Sequence, residues 1–250
     1  MYRSVGDAEL VRSRGLFVAE GRLIVRRVLE DGRYRVRSSL VNESALKELR
    51  PLMEGLPATT VVQCDTRDFL TITGFDFHRG CLALVERPAP IALNDLIADA
   101  GCIVVLDGVT NADNVGGVFR NAAAFGVDAV VLSPTSCDPF YRKAIRTSMG
   151  AVLQVPFARA DAWPADIDTL RAAGLTIVAM TPRAPSETLD VFVARIGTTR
   201  VALIVGAEGA GVTPSVEAAA DVRVRIPIRE GVDSLNLAVA VGIALYRLRM

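Results

Sequence analysis

The chain has 250 residues, 51% hydrophobic and 22% charged, and its 28 basic and 28 acidic side chains cancel. That composition is globular rather than disordered, and a net charge of zero is not the strongly basic footprint of a stand-alone nucleic-acid binder. Four scattered cysteines (Cys64, Cys81, Cys102 and Cys137) and a single histidine, His78, leave too few ligands for a zinc site; they also weaken a disulfide framework and a Ser-His-Asp hydrolase.

No apolar run reaches the ~18 residues that cross a bilayer, and the opening MYRSVGDAELVRSRG lacks the apolar core of a secretory signal. A cytoplasmic protein is expected, with no membrane partner. Residues 1–40 carry nine arginines against five acids. This local excess suits a solvated surface as well as an RNA-binding face.

Taken in order, Phe17-Val-Ala-Glu-Gly21 precedes a helix-like run at Arg22–Leu29. Arg33–Arg37 and Thr59–Val62 alternate as strands do. Arg67–Gly74 predicts a helix and turn, and Cys81–Val85 a closing strand, giving a compact α/β unit. The prolines of Glu86-Arg-Pro-Ala-Pro-Ile-Ala-Leu93 suit a linker, because they fix φ and stop helices. A boundary near residue 90 therefore divides the chain into domains 1–90 and 91–250.

The second region repeats strand–helix units. Strands are predicted at Ile103–Leu106, Ala129–Leu132, Thr176–Ala179, Val201–Val205 and Val222–Ile226. Helices are predicted at Val115–Phe125, Tyr141–Met149, Ile167–Ala173, Thr213–Ala220 and Leu237–Leu248. The strands are apolar on both faces, as in a mostly parallel sheet covered by helices.

Three segments carry chemistry. In Leu106–Arg120 a strand passes through a polar loop into a helix, a usual ligand location in open α/β sheets. There Asn114 can cap the helix or offer its amide to a ligand, Gly116 and Gly117 admit a close backbone, and Arg120 lies one turn beyond. A capped helix with a surface arginine explains the segment equally well. In Val201–Val212, a strand is followed by three glycines in a G-x-x-G-x-G loop. This is not the dinucleotide fingerprint, and Glu208 within it needs a partner or a role. In Ile226–Ala240, a strand ends at Pro227, Ser234 is placed to cap the last helix, and Asn236 sits unexplained at the start of a largely apolar helix.

Together and in this order, the segments resemble the motifs of the SpoU (TrmH) family of the SPOUT methyltransferases over residues 102–250. The N-x-G-x-x-x-R pattern is matched by Asn114, Gly116 and Arg120, and the G-x-E-G loop by Gly206, Glu208 and Gly209. The I-P-(x)n-S-L-N segment is matched by Ile226, Pro227, Ser234, Leu235 and Asn236. Phe17–Gly21 and Thr73-Gly74…His78-Arg-Gly80 resemble, less specifically, the family's L30e-like RNA-binding domain.

The resemblance implies an α/β fold whose C-terminal SPOUT domain has a deep trefoil knot, a rare exception to unknotted topology, plus a small L30e-like α/β domain. It implies S-adenosylmethionine as cofactor, contacted by Gly206, Ile226 and Leu235, with Thr181 a weaker candidate, and no metal. It further implies a homodimer acting on ribosomal or transfer RNA, with the apolar last helix as an interface element. The reaction would be in-line methyl transfer to a ribose 2'-hydroxyl, which demands alignment, activation and exclusion of water. The family gives Arg120 the role of base. A guanidinium with pKa above ~12 rarely yields its proton, and binding of a phosphate beside developing alkoxide charge fits its chemistry better. Asn114, Glu208, Ser234 and Asn236 would orient Arg120 and the ribose. The alternatives are a non-catalytic RNA-binding member and an unrelated nucleotide-binding α/β enzyme; the absent dinucleotide and P-loop fingerprints count against the latter.

Overall fold

The computed structural model describes residues 6–54, 60–73 and 80–249. The chain forms two compact units, Met1–Ala89 with Pro139–Leu153, and Pro90–Asp138 with Gln154–Met250.

After a single π-helical turn (Glu9–Ser13), the first unit runs β1 (Leu16–Glu20), α1 (Arg22–Asp31), β2 (Val36–Val41), α2 (Glu43–Met53), β3 (Val61–Gln63), α3 (Asp68–Thr73) and β4 (Cys81–Glu86). Its strands form one sheet in the order β1-β4-β2-β3, with β4 antiparallel to both neighbours and β2 parallel to β3. The Cys81–Val85 run is buried throughout, which suits a strand flanked on both sides. Helix α1 buries Ile24, Val25 and Val28, an i, i+1, i+4 stripe. The strand expected at Arg33–Arg37 forms instead at Val36–Val41, where the partner residues of β4 are available. Gly74 and the His78-Arg79 part of the weaker N-terminal resemblance lie outside the described residues, as does Thr59.

The second unit opens with α4 (Leu93–Ile97), β5 (Cys102–Asp107), α5 (Ala112–Ala124) and β6 (Ala129–Leu132). The chain then returns to the first unit for α6 (Arg142–Thr147) and a 3-10 turn at Ala151–Leu153. There Phe140 stacks on Phe17 with ring centroids 4.7 Å apart. Arg142 Nε donates to Asp7 Oδ1 at 2.8 Å, and the Tyr34 hydroxyl donates to the Leu153 carbonyl at 2.8 Å. The helix expected at Tyr141–Met149 among the second region's elements thus belongs to the first unit, because its aromatic and charged partners are there.

The second unit resumes with β7 (Phe157–Arg159), α7 (Asp166–Ala172), β8 (Thr176–Met180), β9 (Glu187–Thr188), α8 (Leu189–Ile196), β10 (Val201–Gly206), α9 (Pro214–Ala219), β11 (Val222–Arg225) and α10 (Leu237–Arg249). Its strands form a seven-stranded sheet in the order β7-β6-β5-β10-β8-β11-β9, and each neighbouring pair is parallel. Every residue of β5, β6 and β10 is buried, as central strands of a parallel sheet covered on both faces require. The mostly parallel α/β sheet expected from the apolar runs is present.

Two contacts bring the last helix onto α5. A Cβ at Gly117 would lie 2.5 Å from Ala238 Cβ, so only glycine lets the helices approach this closely. One turn on, Asn121 Nδ2 donates to the Ala238 carbonyl at 2.6 Å. Among the described residues no helix is long and apolar enough to cross a membrane.

Candidate active site at the carboxyl ends of the strands

The register of the sheet pairs Gly206 at the end of β10 with Asp107 at the end of β5. The loops leaving these strands therefore start side by side at the carboxyl edge, where open α/β sheets hold their ligands. Gly206 itself has no room for a side chain, since a Cβ would lie 1.9 Å from the Gly211 carbonyl carbon. The loop folds back on its own strand, and Gly211 N donates to the Ala207 carbonyl at 2.8 Å. Gly209 and Gly211 take φ of +81° and +71°, which L side chains rarely adopt.

A cavity of about 310 Å³ opens here, within the size range of small-molecule sites. Its walls come from three loops: Met180–Pro182 after β8, Val205–Gly209 with Gly211 after β10, and Arg225, Ile226, Ile228 and Asp233–Leu235 after β11, closed by Leu237 and Ala240 of α10. Gly206, Ile226, Leu235 and Thr181, the four expected cofactor contacts, all line this one cavity. Thr181 is only 3% exposed; its Oγ1 accepts from Arg183 N at 3.2 Å and its own N–H donates to the Val224 carbonyl at 2.8 Å.

Asn236 joins the three sequence segments. Its Nδ2 donates to Asn114 Oδ1 at 3.1 Å and to Glu208 Oε1 at 3.3 Å. Its Oδ1 accepts from Ala238 N at 3.0 Å and from Val239 N at 3.3 Å, so Asn236 caps α10. Ser234, expected in that role, lines the cavity on an exposed stretch of loop instead. A second expectation also shifts. Asn111, not Asn114, caps α5, accepting from Asp113 N at 2.9 Å. Asn114 sits inside the first turn, 4% exposed, and offers its amide oxygen to Asn236. Arg120 is exposed, and among the described residues it has no hydrogen-bond or ion-pair partner. Asn114, Glu208 and Asn236 are thus brought into one hydrogen-bonded set, with Ser234 and Glu208 on the cavity wall; no bond ties Arg120 to them.

Two residues that the motifs did not single out hold the loop in shape. Asp107, 3% exposed, accepts from Trp163 Nε1 at 2.8 Å and from Thr213 N at 2.7 Å, which fixes the far end of the glycine loop. The signal available was a carboxylate closing a wholly apolar strand, a group that must find donors when buried. Arg183 donates to the carbonyls of Ala210 at 2.6 Å and Val212 at 3.2 Å, and to Glu217 Oε1 at 3.1 Å. It links the wall after β8 to the wall after β10, and nothing local in the sequence marks it.

Residues 101–246 match the model of the SpoU rRNA Methylase family. Over 238 residues the chain is 39% identical to an uncharacterized tRNA/rRNA methyltransferase of Mycobacterium tuberculosis, covering 95% of this chain and 82% of that protein. It is 29% identical over 229 residues to the 23S rRNA (guanosine(2553)-2'-O)-methyltransferase of Bacillus subtilis, covering 88% of each. Among solved structures, an AdoMet-bound rRNA methyltransferase from Sinorhizobium meliloti aligns with a TM-score of 0.81 at 28% identity, over 96% of this chain and 88% of that chain.

Proposed function

Because the chain belongs to the SpoU rRNA methylase family, we propose that it transfers a methyl group from S-adenosylmethionine to a ribose 2'-hydroxyl of ribosomal or transfer RNA. The observation that carries this reading is the set of bonds from Asn236 to Asn114 and Glu208, which gathers all three motifs beside one cavity. The 2'-O-methyltransferase of Bacillus subtilis among its relatives supports the choice of acceptor.

The cavity fits the cofactor. At Gly206 the absent Cβ lets the Gly211 backbone fold against the strand end, and the glycine and aliphatic lining of the cavity suits a flat adenosine group. Gly206, Ile226 and Leu235 would hold the cofactor, with Thr181 at the edge. When bound, S-adenosylmethionine supplies an electrophilic methyl group. The chain's part is to aim the ribose at it and to stabilise charge as the hydroxyl proton leaves. Arg120, exposed and without a competing partner, would take the phosphate beside the target ribose and offset the developing alkoxide charge. Asn114, Glu208 and Asn236 would keep that edge rigid, and Ser234 would face the ribose.

Three further parts belong to the same reading. Membership of the SpoU family supports a trefoil knot in the domain 91–250. A homodimer is supported by α10, whose Val239, Ile243 and Tyr246 are 51%, 38% and 50% exposed at spacings that share one helical face. The domain 1–90, an L30e-like module, would bind RNA, and such an enzyme would act in the cytoplasm.

The test uses tritiated S-adenosylmethionine with ribosomal and transfer RNA transcribed without modifications. Label recovered in dinucleotides that survive alkaline hydrolysis is expected, since a 2'-O-methyl group blocks cleavage of its own linkage. Label confined to the bases would overturn the reading.

A further inference from the structure

We propose that Arg225 is a cofactor-specificity residue, which recognises the α-carboxylate at the methionine end of S-adenosylmethionine. The inference rests on the cofactor reading above and adds to it the contact for one ionic group.

Three charged residues line the cavity, Glu208, Arg225 and Asp233, and Arg225 is the single cation among them. Glu208 accepts from Asn236. Arg225 is half-buried at the end of β11, and among the described residues it has no carboxylate partner. Its Nη1 is instead held by the carbonyl and the hydroxyl of Ser186. Most arginines of this unit have settled their charge or their donors internally. Arg171 meets Asp168 and Asp221, and Arg200 meets four carbonyls.

A guanidinium anchored at one nitrogen keeps Nε and Nη2 for an incoming group. Such a fork matches a carboxylate in the plane, and pre-anchoring lowers the ordering cost of binding. The rest of the lining is mainly glycine, aliphatic side chains, proline and hydroxyls, suited to a nucleoside and offering no second cation to a carboxylate. A partly desolvated cation at a cavity wall gains most when an anion meets it.

The test is a cycle between ligand and protein. S-adenosylmethionine and its decarboxylated form differ only in the group in question. Calorimetric titration of the wild-type chain should show the decarboxylated form binding about tenfold more weakly, as a charge-assisted hydrogen bond predicts. In Arg225→Gln the two ligands should bind alike, while Arg225→Lys should keep part of the preference. The wild-type comparison needs no variant, so it stands whether or not Arg225→Gln folds. Equal affinities in the wild type would overturn the inference and leave the cofactor reading intact. A preference that persists undiminished in folded Arg225→Gln would place the carboxylate elsewhere and also overturn it. A wild-type chain that binds neither ligand and transfers no methyl to RNA would overturn the functional reading and this inference together.

Discussion

The side-chain amide of Asn236 donates to Asn114 Oδ1 at 3.1 Å, across 122 positions of sequence. The same nitrogen reaches Glu208, and the same residue's oxygen caps α10. One side chain therefore couples the start of a helix to the geometry of the candidate site.

Those two duties can be separated. Asn236→Ser keeps a capping oxygen, since Ser and Asn rank alike there, whereas Asn236→Ala removes it at a cost of about 1 kcal/mol. Thermal unfolding should accordingly find Asn236→Ser more stable than Asn236→Ala. Both lose the amide that donates to Asn114 and Glu208, so methyl transfer should fall about tenfold or more in each. Full activity in Asn236→Ser would show that the amide donor does not serve the reaction.

Arg120→Ala should abolish transfer while leaving cofactor affinity unchanged. Because Arg120 is exposed and unpartnered among the described residues, stability should move by no more than about 0.5 kcal/mol. Parallel titration and transfer assays decide the matter; comparable loss of binding and transfer would remove Arg120 from its assigned role.

The glycines of the β10 loop should differ in kind. At Gly206 a methyl group meets backbone at 1.9 Å, a clash no rotamer relieves, so Gly206→Ala should cost about 3 kcal/mol or more and lose cofactor binding. At Gly209 the added Cβ meets nothing within 4 Å. Gly209→Ala should cost only the left-handed backbone strain, about 1–2 kcal/mol, with the folded fraction still binding cofactor. Denaturant melts combined with calorimetry measure both quantities.

Arg183→Gln loosens the wall between the loops after β8 and β10 by removing its bonds to Ala210, Val212 and Glu217. Its expected signature is a KM for S-adenosylmethionine raised about tenfold with kcat retained, the pattern of lost ground-state binding. Arg183→Lys, which keeps the charge without the fork, should fall between. A drop in kcat at unchanged KM would contradict a positioning role.

Val239→Asp places a charge on the exposed apolar face of α10. If that face pairs two copies, sedimentation velocity should show the wild type as a dimer and the variant as a monomer with an unchanged far-ultraviolet spectrum. A wild-type monomer, or a variant that stays dimeric, would move the interface elsewhere.

Local signals account for much of what the sequence disclosed. The Ala129–Leu132 strand is read to the residue, because a buried apolar run bounded by polar turns admits few other conformations. Helix α2 was not anticipated, although Asn42 caps it by accepting from Ala45 N at 2.8 Å and Ala45, Leu49 and Met53 recur at helical spacing. Pro51 inside it obscures that pattern, since proline ordinarily ends a helix. The three-residue β7 and two-residue β9 are too short to show any periodicity; only their neighbours in the sheet make them strands.

The candidate site divides in the same way. Residue types and their order, N-x-G-x-x-x-R, G-x-E-G and S-L-N, were legible because chemistry constrains which side chains a loop can carry. Only the tertiary structure decided that Asn236 rather than Ser234 caps α10, that Asn111 rather than Asn114 caps α5, and that Asp107 and Arg183 brace the glycine loop. The braces join groups 27 and 106 positions apart, and the capping residue Asn236 is also held by Asn114, 122 positions away. Strand register and helix packing fix those meetings, and no window of neighbouring residues contains them.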